Sequence, residues 1–105
     1  MMLLRLLAEQ ESYGYELVLR IHQAGLPEVA EGTVYPALAR LQREHKISSR
    51  LVPSSSGPAR KYYRPTRTGY HALATATTAW DGLVGVVNPL LSRPIPPKPA
   101  SPKEP

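Results

Sequence analysis

Apolar residues in the first 45 positions recur with the period of an α-helix, and they do so in three separate stripes. The first helix is predicted to end near Gln10, the second to span about 13–24 and the third about 33–45. Ser12 is placed to cap the second helix, and Gly25, followed by Pro27, is placed to end it. The stripes consist of Leu3, Leu4, Leu6 and Leu7, then Leu17, Val18, Ile21 and Ala24, then Val34, Ala37, Leu38 and Leu41.

The period changes after residue 46. Residues 47–52 alternate apolar and polar side chains and predict a half-buried strand, while 53–58 (PSSSGP) have the composition of a loop. Residues 60–64 predict a second strand, which Pro65 ends. Thr66 then caps a final helix. Three helices, a hairpin and a helix, in this order, predict a mostly α (α+β) winged helix-turn-helix whose wing is the hairpin.

The final helix carries a narrow apolar seam with coiled-coil spacing, and Pro89 is expected to end it near Val87. The seam consists of Tyr70, Leu73, Thr77, Trp80, Val84 and Val87. Such a seam favours contact with another helix, so we predict a C-terminal dimerisation helix, with the alternative that the seam is core of the same chain. The predicted dimer interface is Leu3, Leu4, Leu7, Leu73, Trp80, Val84 and Val87.

Length and composition predict one small domain with three segments. With 105 residues, we expect a winged helix-turn-helix at 1–65, the dimerisation helix at 66–91 and a disordered tail at 92–105, which holds six of the twelve prolines. There is no cysteine, which excludes disulfides and thiolate metal sites. No apolar run approaches the ~20 residues that span a bilayer. We therefore expect a cytoplasmic protein with no membrane partner.

Charge is concentrated in the middle of the chain. Residues 1–39 hold two basic and five acidic side chains, whereas residues 40–67 hold eight basic and one acidic, in a chain of net charge +5. A basic block with an acidic or neutral flank is typical of proteins that bind a polyanion. A solvated basic face is the alternative that charge alone leaves open.

The first turn of the third predicted helix, EGTVYP (31–36), is unusual for a helix that only packs. Thr33 and Tyr35 lie off the apolar stripe, so their hydroxyls are expected to point outward, with Arg40 and Arg43 further along. Helix N-termini attract anions, and Pro36 should cost little near a helix start. This predicts contact with a phosphate backbone and a major groove. The alternative is that Tyr35 covers the edge of the core.

The predicted wing supplies more cations. Arg60, Lys61 and Arg64 follow the serine-rich loop, where lysine and arginine suit a backbone or minor-groove contact. Tyr62 and Tyr63 must point to opposite faces of the strand, so one is expected in the core.

Nothing in the chain resembles a catalytic or cofactor site. His22, His45 and His71 lack metal-ligand spacing, and no nucleophile with a neighbouring base appears, so we predict neither an enzyme nor a cofactor nor a metal. Trp80, the one tryptophan, is a candidate contact for a small aromatic effector, although a packing role at the interface is the favoured interpretation.

Four segments resemble the PadR family of bacterial transcriptional regulators: YGYEL (13–17), GTVYPALARLQ (32–42), SGPARKYYRPT (56–66) and Gly69. They occur in the family's order and spacing over about residues 1–85. The resemblance implies a winged helix with a C-terminal dimerisation helix, mostly repressor action, and effector binding near the dimer interface in some members. It also places Thr33, Tyr35 and Pro36 against DNA and Lys61 in the wing. His45 departs from the family's usual glycine, but histidine tolerates the left-handed conformation such a turn needs.

The leading hypothesis is a homodimeric, sequence-specific repressor that binds a double-stranded DNA operator and is released by an effector. The alternatives are a winged-helix module that binds protein, and a small-molecule sensor without direct DNA binding.

Overall fold

The computed structural model describes residues 1–98, and its order of elements confirms the predicted winged helix-turn-helix. One short strand is present that the sequence pattern did not indicate. The elements are α1 (Met2–Glu9), β1 (Ser12–Tyr13), α2 (Gly14–Gln23), α3 (Glu31–Arg43), β2 (Ile47–Ser54), β3 (Gly57–Pro65) and α4 (Arg67–Leu91).

Two helices end in the same left-handed turn. Gly25 has φ 120° after α2, as predicted, and the N–H of Leu26 donates to the carbonyl of Ile21 at 3.2 Å. His45 has φ 60° after α3, and the N–H of Lys46 donates to the carbonyl of Leu41 at 2.9 Å. Both are Schellman motifs, in which the turn satisfies carbonyls that the helix leaves unpaired. The prediction that His45 supports this turn is confirmed.

The sheet has three antiparallel strands in the order β1-β3-β2. Ser12 was expected to cap α2 but lies in β1, paired with Tyr63 and fully buried. Tyr13 precedes the helix instead, and no side chain caps it. The hydroxyl of Ser12 accepts a hydrogen bond of 2.7 Å from Arg20, which also donates to the carbonyls of Leu6 and Gln10 and so ties the end of α1 to α2.

The hairpin is longer than predicted. Residues 53–58 were expected to form a loop, but β2 continues to Ser54 and β3 starts at Gly57, which leaves a two-residue turn. The register shifts between Val52 and Ser54. Pro53 stands at this irregularity, where its missing N–H costs no regular ladder bond.

The core lies between α1, α2, α3 and the base of the sheet. Leu4 and Leu7 are only 3% and 2% exposed within the single chain, so their predicted role at a dimer interface is corrected: they are core residues of the protomer. Leu3 is partly buried at the edge of the same core. The fully packed members are Leu4, Leu7, Leu17, Val18, Ile21, Val34, Leu38, Ile47 and Tyr63.

Helix α4 begins as predicted and ends later than predicted. The hydroxyl of Thr66 accepts from the N–H of Gly69 at 3.0 Å, which confirms the cap. The helix passes Pro89 and ends at Leu91, because a proline removes a single ladder bond while Ser92 still donates to the carbonyl of Asn88 at 3.0 Å. Residues 92–98 have no regular secondary structure. The rest of the predicted tail, 99–105, lies outside the described residues.

Candidate nucleic-acid interface

Helix α3 exposes a narrow ridge of mainly small residues opposite its buried stripe. Val34 and Leu38 face the core, and 100° per residue places Gly32, Pro36, Ala39 and Arg43 on the opposite side, all four of them exposed. These four residues form what we call the outer ridge. Its small side chains allow another surface to approach the helix backbone closely, and Arg43 supplies a cation at its end.

Thr33 and Tyr35 lie on opposite flanks of this ridge, since two helical positions are separated by 200°. Both are exposed and off the core stripe, as the sequence indicated, but the hydroxyl end of the Tyr35 ring lies against Gly14 and does not point straight outward. A duplex that contacts the outer ridge therefore lies between them, with Thr33 and Arg40 on one side and Tyr35 on the other.

Pro36 removes a hydrogen bond of the helix, although it was expected to cost little near the helix start. The helix begins at Glu31, earlier than predicted, so Pro36 is its sixth residue and lies inside it. The carbonyl of Gly32 consequently has no N–H donor four residues on. Because Gly32 is exposed, that carbonyl is an acceptor that solvent or a ligand can satisfy.

The ring of Tyr35 packs on the start of α2 while the residue stays 43% exposed. A Cβ at Gly14 would lie 2.3 Å from its Cε1 atom, so the ring needs a glycine there. Burial raises the pKa of Tyr35, and the carboxylate of Glu31 and the phenols of Tyr63 and Tyr13 raise it further. The Tyr35 hydroxyl is thus a protonated hydrogen-bond donor held at the junction of α2, α3 and the sheet.

The N-terminus of α3 has no side-chain cap. Ala30 precedes the helix, and its carbonyl accepts from the N–H groups of Thr33 and Val34 at 3.0 and 3.3 Å. The N–H groups of Glu31 and Gly32 remain available to an anion at the positive end of the helix dipole. Glu31 partly offsets that field, because its carboxylate lies in the first turn.

The two arginines of α3 differ in their partners. Arg40 Nε lies 3.1 Å from a carboxylate oxygen of Glu44, and Lys46 Nζ lies 3.0 Å from the other. Lys46 and then Arg40 lower the pKa of Glu44, so this carboxylate stays charged. Arg43 is exposed and takes part in no ion pair within residues 1–98. Arg43 is therefore the more available cation.

The hairpin divides its cations between two faces. Lys61 shares a face with Tyr63, which points into the core, and its Nζ lies 5.9 Å from the centre of that ring. Arg60 and Arg64 point to the opposite face, because side chains alternate along a strand. Lys61 and Tyr35 therefore both lie near Tyr63, on the side of the hairpin that faces α3. Arg60 and Arg64 lie on the other side of the hairpin, away from α3. The three hairpin cations that the sequence grouped together thus lie on two faces, and the expectation that one of Tyr62 and Tyr63 lies in the core is confirmed.

Trp80 borders an apolar cavity of about 350 Å³ between α1 and α4. The residue is 53% exposed, and no side chain from α1 or α2 covers it fully. The cavity is lined by Met1, Met2, Arg5, Leu6, Ala24, Leu73, Thr77 and Trp80. A small apolar molecule could occupy it, as could a side chain of another subunit.

The described part of the chain shows no helix with the length and hydropathy to cross a bilayer. Among the same residues, no three histidines or carboxylates cluster as metal ligands would.

These features define a class of protein. It is a winged helix-turn-helix in which an exposed helix ridge of small residues lies beside a basic hairpin, and nucleic-acid-binding members of this fold share that arrangement. A model of the transcriptional regulator PadR-like family matches residues 3–75. The chain therefore belongs to the PadR-like family, and it is a DNA-binding transcriptional regulator, not an enzyme.

Solved structures of family members agree with this assignment. A PadR-like transcriptional regulator from Bacillus cereus is 38% identical, with a TM-score of 0.80 over 88% of this chain and 89% of that chain. A PadR family regulator from Clostridium difficile is 31% identical, with a TM-score of 0.74 over 85% of this chain and 93% of that chain. An uncharacterised protein of Lysinibacillus sphaericus is 32% identical over 88 residues, which are 82% of this chain and 81% of that protein.

Proposed function

We propose that the protein is a homodimeric, sequence-specific repressor whose two α3 helices each contact one half of a near-palindromic operator. The observation that carries the proposal is the outer ridge: an exposed line of Gly32, Pro36 and Ala39 that ends at Arg43. Small residues let the helix enter a major groove, where an alanine can contact a thymine methyl group and an arginine can contact guanine.

The surroundings of the ridge suit phosphate contacts. Thr33 and Arg40 on one flank, and Tyr35 with Lys61 on the other, supply donors on both sides of the groove. Contacts of this kind set the position of the protein and add affinity without reading sequence. The proposed DNA-binding residues are thus Thr33, Tyr35, Pro36, Arg40, Arg43 and Lys61 on this side, with Arg60 and Arg64 of the opposite hairpin face against the neighbouring backbone.

Dimerisation through α4 is supported by apolar side chains that the single chain leaves uncovered. Trp80, Leu83 and Leu90 are 53%, 54% and 52% exposed on one side of the helix. Leu73, Val84 and Val87 lie on the same side and are half-buried. Exposed apolar surface of this extent is typical of protein–protein contacts. We accordingly assign residues 1–65 to DNA binding and 66–91 to dimer formation, in a cytoplasmic protein.

Effector release is the part of the proposal that involves Trp80. The cavity beside it adjoins both α1 and the proposed dimer helix, so a bound molecule could alter how the protomers meet. Titration with planar aromatic compounds should quench the fluorescence of Trp80, the one tryptophan in the chain. Unchanged fluorescence would count against an aromatic effector, but it would not contradict the proposed DNA binding.

Selection of bound duplexes from a random pool tests DNA recognition directly. We expect an enriched inverted repeat with half-sites about one helical turn, ~34 Å, apart. Affinity for that duplex should fall ~10³–10⁵-fold between 50 and 200 mM salt if the dimer makes roughly 6–10 phosphate contacts.

Two substitutions of equal charge separate contact from general electrostatics. Arg43→Ala should weaken binding to the selected duplex by about 1–3 kcal/mol. Arg93→Ala, beyond the end of α4, should change it little. No enrichment of any sequence, or equal losses in both variants, would refute recognition by α3 and favour a module that binds an acidic protein.

A further inference from the structure

A groove of about 470 Å³ lies between the N-terminal end of α1 and helix α3, apart from the cavity beside Trp80. Its more buried lining is aliphatic: Leu3 and Leu41 are partly buried at the edge of the core, and Ala37 is half-buried. Within the part of the chain that the structure describes, no aromatic ring lines this groove. Small-molecule sites have volumes of this order and are mostly apolar, with a few polar groups that fix the ligand.

Arg40, Glu44 and Lys46 form the charged rim of the groove. One carboxylate oxygen of Glu44 lies 3.1 Å from Arg40 Nε, and the other lies 3.0 Å from Lys46 Nζ. The two cations therefore converge on a single carboxylate, which shows that their side chains can share an anion. Since two positive charges face one negative charge, the rim remains positive.

Both cations of the rim keep N–H groups that Glu44 does not use. Arg40 donates to Glu44 through Nε, so both of its Nη groups stay available, and Lys46 Nζ has further N–H groups to donate. The Arg40 side chain is 72% exposed, whereas that of Lys46 is 33% exposed. Lys46 is thus the deeper cation and Arg40 stands at the mouth of the groove.

We propose that the groove between α1 and α3 binds a small amphipathic carboxylate. Its alkyl chain packs on Leu3, Ala37 and Leu41, and its head group accepts hydrogen bonds from Lys46 Nζ and from the Nη groups of Arg40. The aliphatic lining favours an alkyl chain over an aromatic ring. The carboxylate of Glu44, already held at the rim, shows which head group these cations fit.

A ligand in this groove opposes DNA binding, because the two share residues. Pro36 lines the groove and Arg40 forms its mouth, and both are proposed DNA-binding residues. A carboxylate on Arg40 compensates its charge and repels phosphates beside the outer ridge. This effect rests on the proposed function, whereas binding of the carboxylate does not. It also differs from release through the Trp80 cavity, which would act on the dimer.

Amide NMR spectra of the full chain without DNA locate the site, with octanoate as the probe. We expect octanoate to shift the amide signals of Ala37, Leu41 and Lys46. The signals of Leu73 and Trp80, which line the other cavity, should stay in place. Butyrate has a shorter chain and octanol has no charge, so both should bind several-fold more weakly than octanoate.

Three variants test the head-group contact. Lys46→Gln should lower octanoate affinity about tenfold, because it removes a hydrogen bond from a charged donor while the backbone bonds of this residue are kept. Glu44→Gln should raise the affinity several-fold, since a competing carboxylate is lost. Arg5→Gln removes the cation that lines the Trp80 cavity and is the matched control, which should bind octanoate as wild type does.

Competition with the duplex selected from the random pool tests the effect on DNA. Saturating octanoate should weaken duplex binding by wild-type protein several-fold, with a midpoint at the concentration that half-saturates the NMR shifts. Lys46→Gln should need about tenfold more octanoate for the same loss. Octanol at equal concentration should leave duplex affinity unchanged.

Other results would overturn the proposal. Shifts at Trp80 that disappear in Arg5→Gln would place the carboxylate in the other cavity. Equal affinity for octanol and octanoate, or no shifts at millimolar octanoate, would show that the groove does not recognise a carboxylate. Shifts in the groove without any loss of duplex affinity would refute the opposition to DNA binding. If no duplex is selected at all, the proposed function fails, while the NMR titration still decides whether the groove binds a carboxylate.

Discussion

At the level of single residues, Glu44 limits the charge that α3 presents to DNA. Its carboxylate lies within 3.1 Å of Arg40 and 3.0 Å of Lys46, so it compensates one of two cations beside the ridge. A phosphate that approaches Arg40 must compete with this carboxylate. Glu44 thus weakens general attraction to DNA, and specificity depends more on the contacts of the outer ridge.

Glu44→Gln should therefore strengthen DNA binding. We expect a several-fold higher affinity for unrelated duplex and a salt slope that is larger by about 1 per protomer, as one more cation becomes available. Glu28→Gln makes the same charge change on the exposed link between α2 and α3 and serves as the control. Fluorescence anisotropy over a salt series measures both. Identical behaviour of the two variants would show that Arg40 does not contact DNA.

The buried phenol of Tyr63 predicts a loss of stability at alkaline pH. Burial raises the pKa of Tyr63, whereas an unfolded tyrosine ionises near 10. The folded state therefore retains its proton longer, and the associated stability is present below pH ~10 and is lost as pH rises above it.

Tyr63→Phe should reduce this alkaline destabilisation. Urea unfolding between pH 8 and 11 should show a smaller decline for the variant than for wild type, with part of the decline left because burial also raises the pKa of Tyr35. Tyr15→Phe, at a ring that is 49% exposed, is the matched control and should follow wild type. Parallel curves for wild type and Tyr63→Phe would contradict the prediction.

At the level of elements, the start of α4 is locked against the end of α3. The Thr66 hydroxyl donates to the carbonyl of His45 at 2.6 Å, and the Thr66 N–H donates to the carbonyl of Lys46 at 3.0 Å. A Cβ at Gly69 would lie 1.9 Å from that same Lys46 oxygen, so only glycine allows the two elements to approach this closely. The orientation of α3 relative to the proposed dimer helix thus depends on this junction.

Gly69→Ala should destabilise the fold because a backbone carbonyl, not a flexible side chain, blocks the added methyl group. We expect a loss of about 1–3 kcal/mol or more, the usual cost of overpacking. Gly82→Ala, in the same helix with nothing within 4 Å, should instead gain up to ~1 kcal/mol from helix propensity. Thermal unfolding of both variants gives the comparison, and a neutral Gly69→Ala would show that α4 can move away from α3.

At the scale of the whole molecule, the single chain is more extended than a compact domain of the same length. Its radius of gyration is 19.9 Å, against ~13 Å for a compact domain of about 100 residues. Helix α4 has 25 residues, about 37 Å, and its second half projects beyond the body. Apolar residues on that half need a partner to be removed from water.

Leu83→Asp should therefore shift the protein toward monomer, because it places a charged carboxylate among the apolar side chains of the proposed interface. Thr78→Asp places the same charge on the opposite, exposed side of α4 and should leave the dimer intact. Sedimentation over a concentration series measures the dissociation constant, for which we expect at least a tenfold increase in Leu83→Asp alone. An unchanged constant would place the dimer contact elsewhere.

Much of the fold could be predicted from local pattern. The helical stripes, the turn at Gly25 and the Thr66 cap depend on spacing and on residues whose conformational preferences act within one or two turns. β1 could not be predicted, because two residues carry no period and become a strand only through pairing with Tyr62 and Tyr63. The passage of α4 through Pro89 was missed for a related reason: a proline weakens a helix by an amount that the rest of the helix can exceed.

The residues of the candidate site likewise divide into those that local sequence identifies and those that tertiary packing assigns. Local sequence identifies the helix that carries Thr33, Tyr35 and Arg43, and it places the basic block from the end of that helix through the hairpin, because composition and periodicity are properties of the chain alone. Tertiary packing assigns Leu4 and Leu7 to the core, pairs Arg40 with Glu44 and separates Arg60 and Arg64 from Lys61. Each of these outcomes depends on strand register or on neighbours distant in sequence, and a one-residue change of register would reverse which hairpin cations lie beside α3.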